Sequence, residues 1–393
     1  MLTGRDIVLI ASIDWEPLWQ SHHEVATRLA DAGNRVLFVE NTGIRMPTVS
    51  DTSRVAKRVH RWTRSVREPG QVRPNLWVYA PAVLPPFEPP GIRRLNRALF
   101  LPAISRVARR LGFVDPIIWT WLPTDTAVDL SRQLRGPRSV LIYFDIADFS
   151  SLARRSASLA ASEVELLREC DLVLAYDEAS QRRAQQFAQR VERVPPLVNL
   201  TRFSLAPVRA RLPDRPLIGY IGGLHRFLDL QLIAESARSR PQWDWRLIGP
   251  HQTDLSQLAG LSNVRLDGAR DHSELPALVA QFDVGVVPYR VAADTRSLAP
   301  TKINEYLAAG KPVAAIELPW VKEFQARHHV LEVSPASVEL FITACERALR
   351  SSVDPAAAKR RRQVAAESAW ETRLESISAI VEEIVREKEV RDP

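Results

Sequence analysis

Three polar side chains near residue 300 have the types and the spacing of a site for a phosphate and a sugar hydroxyl. In "APTKINEYLAAGKPVAAI" (299–316), Thr301, Lys302 and Glu305 supply a hydroxyl, a cation and a carboxylate. Glu305 follows the other two by four and three residues, which puts all three on one face of a helix. The alternative explanation is an ordinary ion pair between Lys302 and Glu305 on a solvated helix.

The residues around them predict a short helix that leads into a buried strand. Pro300 suits the first position of a helix, where its missing N–H would have no intrahelical partner. Gly310 suits the left-handed residue that ends a helix, and the apolar "PVAAI" (312–316) predicts a strand. The three polar residues therefore lie in the first turns of the helix, where unpaired N–H groups favour an anion.

A second group of polar and aromatic side chains follows the first predicted strand. Tryptophan faces stack on sugar rings, and carboxylate and imidazole groups hydrogen-bond to hydroxyls. The alternative for the two histidines is that they begin an ordinary helix, one pointing inward and one outward. The group consists of Asp14, Trp15, Trp19, Gln20, His22 and His23.

Two aspartates stand at the end of another predicted strand, in "YFDIADF" (143–149). Asp145 and Asp148 resemble a metal-binding pair of aspartates only loosely, because two residues separate them. We expect Asp145 to contact a substrate or to hold a loop, and Asp148 to cap a helix. No metal site is predicted.

Short apolar strands alternate with helical segments along the whole chain. Most lack the period-2 pattern, as strands buried on both faces do, which predicts parallel sheets. The fold class is therefore α/β, with two Rossmann-like doubly wound domains facing each other across a cleft. The predicted strands are 6–12, 35–40, 76–81, 116–121, 139–144 and 172–176, and then 217–223, 243–250, 263–268, 283–288, 312–316 and 329–333.

The proline-rich passage after residue 195 predicts the boundary between the domains. We place an N-terminal domain at 1–200, a linker at 201–215 and a C-terminal domain at 216–352. Residues 353–393 are predicted as a C-terminal helix that crosses back to the first domain, with one continuous helix over 355–388.

Composition and charge narrow the function classes of this chain of 393 residues. The two cysteines, Cys170 and Cys345, form no disulfide framework, and with the absence of a signal peptide they predict a cytoplasmic protein. Residues 1–205 hold 28 Lys and Arg against 21 Asp and Glu, whereas the remainder is balanced. An anionic partner of the first half follows from this excess.

These motifs resemble those of the GT-B glycosyltransferases, in the large retaining family-four class. "LIGYIGGLHRFLDLQLI" (217–233) is similar to that family's first donor-domain strand and glycine turn, and "PTKINEYLAAGKPV" (300–313) to its nucleotide-binding helix. In the first half, "WQSHHEVATRLADAGNRVLFVE" (19–40) is similar to a bacterial subgroup that includes teichuronic acid biosynthesis glycosyltransferases.

The resemblance implies a UDP-, GDP- or dTDP-linked sugar as co-substrate, no other cofactor, no metal and retention of configuration. It implies that Glu305 bonds the ribose hydroxyls and that the backbone amides before it hold the diphosphate. The donor-binding residues that we predict are Gly222, Gly223, Arg226, Asp229, Gly249, His251, Arg290, Ser297, Thr301, Lys302 and Glu305.

Two positions depart from the family pattern. Ser297 stands where the family usually has a second glutamate, and Gly223 stands where it commonly has an arginine that neutralises the diphosphate. Arg226, Arg290 and Lys302 are the candidates to supply that charge. A further candidate, Asp229, either faces the sugar or caps the helix that follows.

In the first domain the resemblance implies an acceptor site. Asp14, His22 and Asp145 are the candidates for catalysis, and Trp15, Gln20 and His23 are predicted to bind a glycan or lipid-linked acceptor in cell-surface polysaccharide synthesis. The alternatives are a catalytically degenerate GT-B protein that binds sugar or nucleotide, and a GT-B nucleotide-sugar epimerase or a glycan phosphorylase. Nucleic acid is not an expected partner, because aromatic and basic residues are not interleaved on a strand platform.

Two basic segments of the first half predict contact with an anionic membrane. "SRVAKRVHRWTRSVR" (53–67) places basic residues on one helical face and Val and Trp residues on another. "PAVLPPFEPPGIRRLNRALFLP" (81–102) adds arginines beside Phe and Leu. The alternative is a helix packed on its own domain with a solvated basic face. We expect a cytoplasmic protein that lies at the inner face of the membrane.

Overall fold

The computed structural model describes residues 1–16, 19–42, 69–84, 91–146, 157–203 and 207–391. The predictions for 53–67, for Asp148 and for part of 81–102 fall outside these residues. The chain forms two compact units, one of residues 1–194 together with 373–393 and the other of residues 195–372. The predicted cleft between two domains stays a prediction.

The first unit is built on a mostly parallel sheet, and the described residues contribute eight strands to it. These are β1 (Asp6–Ile10), β2 (Arg35–Val39), β3 (Gly70–Arg73), β4 (Leu76–Tyr79), β5 (Ile117–Thr120), β6 (Leu141–Asp145), β7 (Leu172–Ala175) and β8 (Val191–Arg193). Their order is β3-β4-β2-β1-β5-β6-β7-β8, in which β3 pairs antiparallel to β4. All six strands predicted for this half are present, and β3 and β8 were not predicted.

Helices connect these strands in the alternation that parallel sheets require. They are α1 (Ser21–Asp31), α2 (Gly91–Leu95), α3 (Leu101–Arg110), α4 (Asp125–Leu134), α5 (Ala157–Glu169) and α6 (Glu178–Ala184). A π-helical turn, Asn96–Phe100, joins α2 to α3. The inner strands are buried along almost their whole length, as their unbroken apolar runs predict.

The second unit contains a parallel sheet to which the described residues contribute six strands, all of them predicted. These are β9 (Leu217–Ile221), β10 (Asp244–Ile248), β11 (Val264–Gly268), β12 (Val284–Val287), β13 (Val313–Ile316) and β14 (Leu331–Ser334). Their order, β11-β10-β9-β12-β13-β14, is that of a dinucleotide-binding Rossmann sheet. The order reverses between β9 and β12, and ligands of such sheets bind beyond the carboxyl ends of the strands at this point.

The helices of the second unit are α7 (Leu200–Phe203), α8 (Leu230–Ser239), α9 (Leu275–Ala280), α10 (Lys302–Ala308), α11 (Pro319–His328), α12 (Val338–Ser352) and α13 (Pro355–Ala366). Short 3₁₀ turns occur at Ser256–Leu258 and Ala293–Thr295. As predicted, α10 ends at a left-handed glycine, Gly310, whose φ is +74°.

The C-terminal segment differs from its prediction as one helix over 355–388. It forms two helices, α13 and then α14 (Trp370–Arg391), because the chain turns at 367–369. Residues up to 372 belong to the second unit, and residues from 373 onward pack in the first. The predicted linker 201–215 likewise lies within the second unit, and α7 begins just before it.

Candidate functional site

The turns that follow β9 and β10 are joined beyond the ends of their strands. Backbone N–H groups of Gly222 and Leu224 donate to the carbonyls of Ile248 and Pro250, each at 2.9 Å. Gly249 has a φ of +152°, and a Cβ at this position would lie 1.9 Å from the Gly222 carbonyl oxygen. Both turns therefore need glycine where they touch, which explains two of the predicted site residues.

Lys302, in the first turn of α10, lies along the glycine turn. Gly222 has a φ of +126°, and a Cβ there would lie 2.9 Å from Lys302 Cε. The ammonium group donates a hydrogen bond of 2.7 Å to Tyr289 Oη and lies 5.3 Å from the ring centres of Tyr220 and Tyr289. These partners are aromatic and uncharged, so the contacts position the cation without neutralising it.

Two buried tyrosines fix α10 against the sheet. Tyr306 Oη accepts a hydrogen bond of 2.9 Å from the Ile221 N–H, and its ring packs on Gly285 of β12, where a Cβ would lie 2.5 Å away. Tyr220 Oη donates to the Gly223 carbonyl at 3.2 Å. Burial raises the pKa of both phenols well above the ordinary value, so both stay protonated. The position of Lys302 is thus set by the core of the sheet.

His225, in the same glycine turn, is a residue of this site that the sequence analysis missed. Its Nδ1 accepts a hydrogen bond of 3.3 Å from the Phe227 N–H, so the neutral ring carries its proton on Nε2. Burial, with the nearby charges of Lys302 and Arg226, lowers its pKa to about 4. The only available signal was its place inside "GGLHRF" (222–227).

The two arginines proposed to neutralise a diphosphate hold the loop after β12. Arg290 Nε donates to the Arg226 carbonyl at 2.6 Å, and both guanidinium groups approach Asp294, at 3.8 and 3.7 Å. Arg226 also lies over the Phe227 ring, 5.0 Å from its centre. Since both arginines share a carboxylate and Lys302 is held by tyrosines, Lys302 is the best placed of the three candidates.

Two roles were predicted for Asp229, facing the sugar or capping the next helix, and the structure shows the cap. Its Oδ1 accepts a hydrogen bond of 2.9 Å from the Leu232 N–H at the start of α8. Its own N–H donates to the Pro288 carbonyl at 2.8 Å, which ties the β9 loop to the end of β12. This aspartate therefore positions the turn, and nothing in the structure directs it toward a sugar.

The other predicted donor-site residues lie around the same strand ends. Glu305 is half-buried in α10, and Thr301 is exposed at the N-cap position, where its side chain makes no capping bond. Ser297 is half-buried in the segment before α10. His251 is exposed and pairs with Leu224 in an isolated parallel β-bridge. The predicted binding roles of these residues stay predictions.

In the first unit, His22 lies behind the end of β1 and is buried, with 1% of its surface exposed. Its Nε2 lies 2.9 Å from Ser12 Oγ, and its ring packs 4.4 Å from that of Trp121. Burial, with the adjacent His23, lowers its pKa to about 3, so it is neutral at physiological pH. Its hydrogen-bond partner Ser12 is half-buried, and the sequence analysis did not single it out.

His23 holds the loop that precedes α1. Its Nδ1 accepts from the Gln20 N–H at 2.9 Å, so its Nε2 carries the proton and donates to the Trp15 carbonyl at 2.7 Å. Its ring stacks on Trp19, with 5.0 Å between ring centres. Both histidines are buried, which corrects the alternative of one inward and one outward ring.

The rest of that loop is tied to β2. The Trp15 N–H donates to Glu40 Oε1 at 2.8 Å, and the Trp15 ring meets Phe38 edge-on at 5.0 Å. Gln20 is exposed at the N-cap of α1, and Asp14 is half-buried. The contacts of Trp15 and His23 are structural, and acceptor binding by Trp15, Gln20 and His23 stays a prediction.

Asp145 ends β6 and is buried beside a cation, and its predicted contact with a substrate or a loop stays a prediction. It forms an ion pair with Arg183 of α6, which also approaches Glu163 at 3.5 Å. Burial raises the pKa of Asp145 to about 7, although the arginine acts against this shift. Within the described ranges, no three His, Cys, Asp or Glu side chains cluster as metal ligands do. The prediction that no metal is needed remains a prediction.

Comparison with known proteins agrees with this geometry. Residues 215–351 match the family model described as glycosyl transferases group 1. Over this range the second unit is similar to the glycosyltransferases of this group. The match covers β9 to β14 and therefore includes the glycine turn, Tyr289 and Lys302. The predicted resemblance is confirmed for this part of the chain.

One curated relative supports the same assignment. TuaH of Bacillus subtilis (strain 168), which bears the provisional name teichuronic acid biosynthesis glycosyltransferase, is 31% identical over 192 residues. The alignment covers 46% of this chain and 48% of TuaH, so the chain spans about half the length of the relative that it matches.

Solved structures confirm the fold over nearly the whole chain. Sucrose-phosphate synthase from Thermosynechococcus elongatus has a TM-score of 0.68 at 17% identity and covers 99% of this chain and 100% of its own. Anabaena HepE in complex with UDP and glucose has a TM-score of 0.61 at 14% identity, and the alignment covers 97% of this chain and 99% of the HepE chain. The fold is GT-B, as predicted.

Proposed function

We propose that this protein transfers a sugar from a nucleotide-sugar donor to a glycan or lipid-linked acceptor in cell-surface polysaccharide synthesis. The observation that carries the proposal is the cation of Lys302, fixed by uncharged tyrosines beside the paired glycine turns of a unit that is similar to glycosyltransferases. A diphosphate in contact with this cation would have its charge neutralised as it leaves the sugar. The similarity to TuaH supports the polysaccharide context.

The remaining parts of the proposal concern donor and acceptor chemistry. Glu305 is proposed to bond the ribose hydroxyls of the donor, and the first unit to bind the acceptor. Transfer is proposed to proceed with retention and without a metal ion, so that the leaving diphosphate accepts the proton of the acceptor hydroxyl. The protein then contributes mainly position and charge stabilisation.

A panel of UDP-, GDP- and dTDP-sugars, screened by thermal shift, tests the donor class. A ligand that binds only the folded protein raises the melting temperature, so one nucleotide series should stabilise the chain and the others should not. No stabilisation by any of them at millimolar concentration would contradict the proposal.

Replacing Lys302 by methionine tests the role of the cation. A charged hydrogen bond contributes about 1.5–3 kcal/mol, so Lys302→Met should weaken binding of the nucleoside diphosphate by roughly 10- to 100-fold. Binding of the matching nucleoside should hardly change. Lys359→Met, an exposed lysine of α13, is the matched control. Equal losses for diphosphate and nucleoside would show that Lys302 supports the pocket instead of binding phosphate.

A catalytically degenerate GT-B protein is the second candidate, because Ser297 and Gly223 replace two charged residues of the family pattern. Such a protein would bind the nucleotide-sugar without consuming it. Release of nucleoside diphosphate, measured over hours with the donor that the thermal shift identifies, separates the two candidates. Binding without any release would favour the degenerate protein.

A further inference from the structure

Several cations of the second unit gather at the amino ends of β12 and β13, the opposite end of the sheet from the glycine turns. Asp283 comes directly before β12, and Lys311 lies two residues before β13. Gly285 pairs with Val313 in the parallel register, so Asp283 and Lys311, two positions earlier on each side, are neighbours. We call the group the amino-end cluster (Arg209, Asp283, Lys311, Arg361 and Arg362).

Lys311 is the member of the cluster whose charge has no partner in contact. It is 8% exposed, and among the described residues its ammonium group forms no hydrogen bond and no ion pair. The adjacent carboxylate is already engaged, since Asp283 Oδ1 pairs with Arg209 at 3.2 Å and Oδ2 accepts from the Leu217 N–H at 2.8 Å. A buried charge without a partner is unfavourable, so this ammonium group favours an anion.

α13 brings a second buried cation to the same place. Arg361 is 4% exposed, and its guanidinium donates to the Gly310 carbonyl at 2.9 Å, the Ser351 carbonyl at 3.0 Å and Ser351 Oγ at 3.2 Å. Arg362 approaches the same glycine, because a Cβ on Gly310 would lie 3.0 Å from Arg362 Nε. Both arginines therefore lie against the residue that precedes Lys311.

The neighbouring charges affect the protonation of Lys311. Burial lowers the pKa of Lys311 to about 8, the arginines of the cluster act in the same direction, and Asp283 opposes them. The other charged neighbour of the group, Asp354, is exposed and acts on Arg361. The charged form of Lys311 is therefore disfavoured, and a bound anion would favour it again.

We propose that the amino-end cluster binds a small oxyanion with the charge of sulfate or phosphate. The ammonium group of Lys311 would donate to the ion, and Arg361 uses only three of its five N–H donors in the bonds above. The burial of both side chains leaves little room for a larger ligand, which favours a free ion over a phosphate ester. The cluster lies away from the glycine turns, so the inference does not depend on the proposed transferase activity.

Thermal shift with sodium sulfate tests the proposal, because the charge of sulfate does not change between pH 7 and pH 9. Sodium chloride at equal ionic strength corrects for screening. Comparison with Lys311→Met corrects for the general stabilisation of proteins by sulfate. Sulfate should raise the melting temperature of the unaltered chain by a few degrees more than that of Lys311→Met. Equal shifts for the two proteins would overturn the proposal.

Three lysine variants separate this cluster from other sites. Lys311→Met keeps the apolar stem and removes the charge, so without sulfate it should melt no lower than the unaltered chain. A lower melting temperature would reveal a stabilising partner of Lys311 and contradict the proposal. Lys359→Met, an exposed lysine of α13, is the matched control, and Lys302→Met removes the cation of the proposed donor site. Both should keep the part of the sulfate effect that depends on Lys311.

The pH dependence of sulfate binding gives an independent readout. Binding needs the ammonium form of Lys311, so the affinity that depends on Lys311 should fall by about tenfold between pH 7 and pH 9 when measured by isothermal titration. An affinity that stays constant over this range would show that Lys311 takes no part. A larger effect of glycerol 3-phosphate than of sulfate would assign the cluster to a phosphate ester and would equally overturn the proposal.

Discussion

At the scale of single residues, the contacts of a candidate cation show whether its charge is available to a ligand. The sequence favours Lys302 over Arg226 and Arg290 because Lys302 lies at a predicted helix N-terminus, but it does not show what each cation contacts. In the structure, both arginines approach Asp294 and Lys302 donates to Tyr289. An uncharged partner leaves the positive charge available to a ligand, so the contacts distinguish residues that spacing cannot.

Sequence reasoning missed Ser12 and His225 for the same physical reason. Each is an ordinary polar residue whose role depends on a neighbour: Ser12 on buried His22, and His225 on Phe227 and Lys302. Periodicity predicts burial of a face, but it does not predict which ring nitrogen accepts a hydrogen bond.

His22 makes stability depend on pH in a predictable direction. Its pKa is lowered from 6.5 to about 3 by burial, so between these values the unfolded chain binds a proton that the folded chain does not. The free energy of unfolding should therefore fall on acidification below pH 6.5. His22→Asn should remove this contribution, changing the difference between variant and unaltered chain by about 1.4 kcal/mol per pH unit.

Urea denaturation at several pH values between 4 and 8 measures that difference. The exposed His329 provides the control, since asparagine tolerates its left-handed backbone at φ +53°. His329→Asn makes the same exchange of side chains at the surface. A difference between His22→Asn and the unaltered chain that stays constant from pH 4 to 8 would show that folding does not lower the pKa of His22.

At the scale of elements, strand positions were predictable and their ends were not. Apolar runs mark every inner strand because these strands are buried on both faces. β3 escaped prediction because its residues, "GQVR" (70–73), are exposed, and β8 because it has only three residues at a sheet edge. The turn between α13 and α14 was not predicted, because the helical pattern of the sequence continues through it. The packing of the folded chain overrides that pattern.

Gly249 gives an element-scale prediction, because two turns of the candidate site meet there. An alanine Cβ would lie 1.9 Å from the Gly222 carbonyl oxygen, at a φ of +152°. Gly249→Ala should therefore force the paired turns apart, costing more than about 3 kcal/mol of stability and weakening nucleotide binding. Denaturant unfolding and nucleotide titration measure the two effects.

Gly260 is the matched control for this substitution. It also has a left-handed φ, +75°, but no heavy atom lies within 4 Å of its Cβ position. Gly260→Ala should cost only the backbone strain of roughly 1–2 kcal/mol and leave nucleotide binding unchanged. Similar losses of stability for the two variants would mean that the two turns can move apart at little cost in free energy.

At the scale of the whole molecule, the chain returns to its first unit at the end. The helical stripe of α14 was predicted to pack, and its apolar side chains are buried in the structure. Polar contacts add to it: Arg5 pairs with Glu382 at 2.7 Å, and Lys388 with Asp171 at 2.8 Å. No helix of the described residues is long and apolar enough to cross a membrane.

A buried charge in α14 should therefore unfold one unit selectively. Val381 is fully buried, so Val381→Asp should lower the stability of the first unit by more than about 3 kcal/mol, whereas Ala379→Asp introduces the same group at an exposed position. Hydrogen exchange reads the units separately. Amides of β6 and β7 should lose protection in Val381→Asp while those of β12 and β13 keep it, because residues from 373 onward pack with the first unit. Equal loss in both sheets would show that the two units unfold as one.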